Sequence, residues 1–168
     1  MMAPPEQPAA PLPPTEATET DLAMMRRALD LARSAGEAGE SPVGAVVYET
    51  ATGRILAEAH NTREADKDPC GHAELIAARA AAKALGDWRL NGCTLVVTLE
   101  PCAMCAGMIV NARFGRVVYG ASDPKAGAAE SLYALTQDAR LNHRVRPVAG
   151  VLAGESAQML REFFRQRR

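Results

Sequence analysis

The 168-residue chain has few cysteines, few aromatic residues and almost no net charge, and each shortage excludes something. Four cysteines (Cys70, Cys93, Cys102 and Cys105) are too few to staple a chain this long, so a disulfide scaffold is excluded. Two of them lie three residues apart, which suits metal chemistry in the cytoplasm better. Aromatic residues make up only 4%, which argues against a broad platform for stacking bases. A formal net charge of -1 rules out a polycationic arm. No apolar run approaches the ~18 residues of a membrane span. The N-terminus has neither the basic segment nor the apolar segment of a secretory signal.

What is present is ordinary for a globular domain. Hydrophobic residues make up 48% and charged residues 23%, enough to build one core. The near-neutral total hides an asymmetry. Residues 1–22 carry Glu6, Glu16, Glu19 and Asp21 and no basic residue, so removing their -4 from -1 leaves +3 for residues 23–168. Residues 139–168 hold seven arginines against Glu155 and Glu162, so the folded part is predicted to have a basic end.

Six of the eleven prolines fall within residues 1–20, which predicts a disordered, proline-rich tail before a folded domain over 21–168. Thr18 and Asp21 offer a capping pattern for a helix with Leu22, Met25, Leu29 and Ala32 on one face. Val43–Tyr48 and Ile55–His60 read as a hairpin around the Thr50–Gly53 turn. Ala73–Leu85 reads as a helix, Cys93–Leu99 as a buried strand, 102–111 as a short helix after Pro101, and Val117–Tyr119 as a strand. Arg144–Leu152 is strand-like but contains Pro147, which confines it to an edge. Ser156–Arg168 closes the chain as a helix. This alternation predicts an α/β fold in three layers, with a mixed sheet of about five strands between helices.

Two segments carry chemistry: His72-Ala73-Glu74, and Pro101-Cys102-Ala103-Met104-Cys105. On the first turn of a helix, residues i and i+3 share a face, so both sulfurs can reach one ion. The helix N-terminus also favours thiolates. Two thiolates and the His72 imidazole suit Zn²⁺. Cys70 is the one serious candidate for a fourth ligand. The favoured site has three protein ligands and an open position, where bound water reaches a pKa of ~7. Glu74 is then the nearby base.

His-x-Glu followed about thirty residues later by Pro-Cys-x-x-Cys resembles the signature of zinc nucleobase deaminases. The segments PVGAVV, HN, DPCGHAE, WRL, TLEPCAMCAG, GRVVYGASDPKAGAAESL, LNHRV and FFRQRR resemble the bacterial tRNA-specific adenosine deaminases, of the zinc-dependent cytidine/deoxycytidylate deaminase superfamily. The resemblance runs from about residue 22 to 168. It implies a cytidine deaminase-like fold with one Zn²⁺ per subunit, held by His72, Cys102 and Cys105. The implied reaction is hydrolytic deamination of adenosine to inosine at position 34 of tRNA anticodons. Zinc-activated water would attack C6, and Glu74 would move the protons. Asn61 would hold the target nucleoside, and Asp123, Phe163 and Arg165 would line the path of the anticodon stem-loop. A homodimer in the cytoplasm is implied as well. The chain departs from the family pattern at Cys70-Gly71, where Thr-Ala is common, and at Ser122-Asp123-Pro124, where Arg-Asp-Ala is common.

Two other readings stay open on the sequence. A free nucleobase or nucleoside deaminase, of guanine or cytosine type, would keep the zinc and Glu74 without needing a basic end. A non-catalytic RNA-binding protein with a structural zinc would need Cys70 as its fourth ligand.

Overall fold

The computed structural model describes residues 16–167, so most of the expected tail lies outside the described residues. The first helix, α1 (Glu19–Glu37), already includes Glu19 and Thr20 from the end of that tail segment. It opens on the expected cap: Thr18 Oγ1 accepts from the Asp21 N–H at 3.0 Å, and Asp21 Oδ2 accepts from the Thr18 N–H at 2.8 Å. β1 (Gly44–Glu49) and β2 (Ile55–His60) form the expected hairpin. A one-turn helix α2 (Arg63–Asp66) leads to α3 (Ala73–Leu85). β3 (Cys93–Leu99), α4 (Ala103–Asn111) and β4 (Arg116–Ala121) follow. A long loop with a 3₁₀ turn reaches β5 (Pro147–Val148), and α5 (Ala153–Arg165) comes last.

The strands lie in the order β2-β1-β3-β4-β5. β1 is antiparallel to both β2 and β3, while β3, β4 and β5 run parallel, so the sheet is mixed as expected. The run from 144 to 152 pairs only at Pro147 and Val148, against β4 at the sheet edge. Proline has no N–H for a second neighbour, which fits the edge position but not a longer strand.

Side-chain alternation divides the strands between two cores. Ala45, Val47, Leu95, Val97, Val117 and Tyr119 face α3 and α4. Val46, Tyr48, Val96, Val118 and Val148 face α1 and α5. Both sets are apolar because both faces are covered by helices, giving the three layers predicted. Alanines 73, 77, 78 and 81 let α3 lie close on the sheet. A Cβ at Gly44 would overlap the Ala28 carbonyl, so only glycine allows β1 to approach α1 this closely. No helix among the described residues is long and apolar enough to cross a membrane.

Asp21 does more than cap. It is fully buried, and its Oδ2 also accepts from Arg116 Nη2 at 2.6 Å, while Oδ1 accepts from the Tyr48 hydroxyl at 2.7 Å. Burial pushes the carboxyl up, but the hydrogen bonds from Arg116, Thr18 and Tyr48 outweigh it and hold the carboxyl below the usual aspartate value. A depressed folded pKa means the contribution is present above the ordinary value of about 4 and is lost as pH falls through the lower folded value. Arg116→Met should therefore cost about 3–5 kcal/mol at pH 7, read by urea unfolding, because it strands a buried carboxylate. The deficit should narrow below pH ~4 as that carboxylate protonates. A constant deficit across this range would detach Arg116 from Asp21.

Candidate active site

The expected chemical residues sit where two helices begin. β3 ends at Leu99 and delivers Cys102 to the N-cap of α4, with Cys105 one turn inside it. His72 occupies the N-cap of α3. Both N-cap residues have extended backbone, and neither side chain caps its own helix. Those side chains are turned to each other instead. For α3 the missing cap comes from Asn61, whose Oδ1 accepts from the Ala73 N–H at 2.9 Å. Two helix N-termini thus meet at the site, and their dipoles favour negative charge there.

The three donors fit zinc. His72 Nδ1 lies 3.7 Å from Cys102 Sγ and 3.5 Å from Cys105 Sγ, and all three donor atoms fall within 4.8 Å of one another. Tetrahedral Zn²⁺ with bonds of about 2.0 Å to nitrogen and 2.3 Å to sulfur places N and S about 3.5 Å apart. The charges fit as well. The hydrogen bond from Cys105 lowers the Cys102 thiol to about 3, with burial opposing and His72 assisting. The same bond raises the Cys105 thiol, and burial adds to the rise. The sulfurs compete for one proton, and a divalent cation removes that competition by holding both thiolates.

Glu74 lies in the first turn of α3, only 4% exposed. It stands outside the group of three donors and shares a hydrogen bond with the Cys105 thiol. Burial pushes its carboxyl above the usual glutamate value. A buried carboxyl beside the donors is placed to take up and return protons.

The other expected residues divide. Asn61 is 5% exposed and stands beside the donors, spending its Oδ1 on α3. The Asp123 side chain is occupied in a turn, its Oδ1 accepting from the N–H groups of Lys125 at 2.9 Å and Ala126 at 3.2 Å. Phe163 is half-buried beside Gly36 and Pro42, with the Arg167 guanidinium 4.0 Å over its ring, while Phe164 is exposed. Arg165 is exposed on α5. Cys70 is exposed, and the metal-binding group does not extend to it.

The arginine-rich stretch is not one surface. Arg144 and Arg146 precede β5, whose Pro147 pairs with Val117 at the start of β4, away from the Cys102 end of the sheet. Arg161, Arg165 and Arg167 belong to α5 and the residues just after it. A cavity of about 400 Å³ beside Tyr48 and Arg116 is likewise at the far end and contains none of the donors.

Sequence reasoning missed Glu100. It is 2% exposed, directly before Pro101 and Cys102. Its one signal is an acidic residue wedged between a buried strand and a metal-ligand turn.

Residues 19–168 match the MafB19-like deaminase family. The tRNA-specific adenosine deaminase of Bacillus subtilis is 49% identical over 144 residues, 86% of this chain and 88% of that protein. A solved structure from a study of A-to-I editing by tRNA:A34 deaminases superposes with a TM-score of 0.78 at 43% identity, covering 82% of this chain and 99% of the other. The guanine deaminase of Bacillus subtilis aligns with a TM-score of 0.57 at 40% identity, over 60% of this chain and 63% of its own. With its fold, its donors and these relatives in agreement, the chain belongs to the MafB19-like deaminases and, among them, to the tRNA-specific adenosine deaminase family.

Proposed function

We propose that this protein is a zinc-dependent hydrolase that converts adenosine to inosine at position 34 of tRNA anticodons. The observation that carries this reading is the meeting of His72, Cys102 and Cys105 beside the buried Glu74, in a chain of this family. Zinc, when bound, supplies the Lewis acidity that brings the pKa of a water to about 7. Glu74 would take a proton from the water whose oxygen adds to adenine C6 and would pass it to the ring nitrogen. It then assists departure of the C6 amino group, so that water and adenosine become inosine and ammonia. Asn61 meets the nucleoside through its NH₂ group, because Oδ1 is committed to α3. An anticodon loop is single-stranded, so presenting its base costs less than opening a duplex.

The test is to incubate purified protein with an adenosine-34 anticodon stem-loop and look for inosine. The similarity to a guanine deaminase favours a second reading, a free-base deaminase, so guanine, cytosine and adenine are run in parallel. Turnover of a free base without inosine in the stem-loop would select that reading.

The assignment of domains follows the same reading: the deaminase is the unit expected over 21–168, extended at its start by the Thr18 cap and the first residues of α1, and the proline-rich segment before it is a tail it does not need. The protein works in the cytoplasm as a homodimer. Exposed Met104, Leu132 and Tyr133, gathered near the Cys102 turn through the Gly127 bridge, support a second copy there, which sedimentation would detect. Of the terminal arginines, Arg165 is the free-standing candidate for a phosphate contact, since Arg167 donates to the Gly39 carbonyl at 2.9 Å. Arg165→Ala should reduce the slope of log affinity against log salt by about 0.7 and leave the rate at saturating RNA intact. An unchanged slope would move the RNA path to another face.

A further inference from the structure

Glu100 is a buried carboxylate that the proposed chemistry does not use. Its partners are backbone N–H groups and one hydroxyl. Oε1 accepts from the N–H groups of Ala129 at 3.3 Å, Glu130 at 2.8 Å and Ser131 at 2.8 Å. Oε2 accepts from the Asp123 N–H at 2.9 Å and from the Ser131 hydroxyl. A charged acceptor is worth roughly twice a neutral one in such bonds. One side chain thus gathers the ends of the 123–131 loop, which has no strand or helix of its own.

That loop does not stop at Glu100. It folds back on the turn that follows it in sequence. The Ala128 N–H donates to the Pro101 carbonyl at 2.8 Å, and Gly127 forms an antiparallel bridge with Cys102 itself. A Cβ at Gly127 would overlap the Glu100 carboxylate, so glycine is what lets the loop lie this close. Glu100, the loop and the Cys102 turn make one closed circuit. The circuit meets the donors at Cys102.

We propose that Glu100 is a positioning residue: it templates the 123–131 loop, and the loop clamps the Pro101–Cys102 turn so that Cys102 is held in place to bind zinc. Groups behind a metal ligand typically govern its affinity by about 10–100-fold. Glutamine cannot replace Glu100, because its NH₂ would face N–H donors on one side of the carboxylate. The proposal rests on the zinc-enzyme reading for the identity of the metal, but not for the substrate.

The experiment is release of zinc from the full-length, zinc-loaded protein into excess chelator at 25 °C. Glu100→Gln should release zinc about tenfold faster than wild type. Ser131→Ala, which removes only the hydroxyl donor, should also release it faster and serves if Glu100→Gln does not fold. The control is Met25→Ala, on α1 in the opposite layer, which lowers Tm without touching the circuit. Its release should match wild type. A merely structural Glu100 would lower Tm and leave release no faster than the control, and that result overturns the proposal. Inosine is assayed alongside on wild type. Slow zinc release without inosine removes the substrate assignment and leaves the clamp standing, whereas a wild-type chain that binds no zinc overturns both.

Discussion

Glu74→Gln should leave zinc at about one per chain and lower kcat on the anticodon stem-loop by about 10²–10⁴-fold, the range that general acid–base catalysis contributes. The substitution keeps size and polarity at a site only 4% exposed, so packing survives. What disappears is the ability to accept and return a proton. The donors His72, Cys102 and Cys105 close on one another without Glu74, so metal content and Tm should hold near wild type. Zinc content by atomic emission and single-turnover rates separate the two possibilities. Loss of zinc together with activity would make Glu74 a ligand and remove it from proton transfer.

Cys105→Ser should instead lose both metal and activity. Cys105 is fully buried on the first turn of α4, and its sulfur lies 3.5 Å from His72 Nδ1. A serine oxygen is a harder donor on a shorter reach, and it does not ionise as a thiol does at neutral pH. Because zinc binds the folded chain and not the unfolded one, the loss should also lower Tm. Thermal melts with and without chelator provide the check: chelated wild type should melt near Cys105→Ser, and the variant itself should not respond to chelator. Stoichiometric zinc in Cys105→Ser would show that the metal, if bound, sits elsewhere.

These two variants concern residues whose convergence was legible because their signals are local. Cys102 and Cys105 are one helical turn apart, and His72 and Glu74 straddle one helix start. The Thr18–Asp21 cap is local in the same way. The relations that escaped are long-range. Arg116 lies 95 residues from Asp21, and nothing in either segment announces the other. Glu100 reads as an ordinary strand-end glutamate until the loop 23–31 residues later folds over it. Asp123 shows the opposite limit. The resemblance gives it to the RNA path, but an Asp-Pro pair is also a turn former, and here its carboxylate serves the turn. The arginines of the last thirty residues are contiguous in sequence but not in space, because β5 takes some to one end of the sheet and α5 carries the rest elsewhere.

The alternation of the strands has a practical consequence for anyone altering this enzyme. Odd-numbered positions of β1, β3 and β4 support the helices that carry the donors, while Val46, Val96 and Val118 support only α1 and α5. The sheet lies between the two interiors. Substitutions that improve packing on the α1/α5 side can raise the melting point without shifting His72, Cys102 or Cys105. Stability gains often compromise activity where they stiffen a working site. Here the sheet itself keeps the two apart, so the even-numbered side is the place from which a hardier catalyst can be evolved.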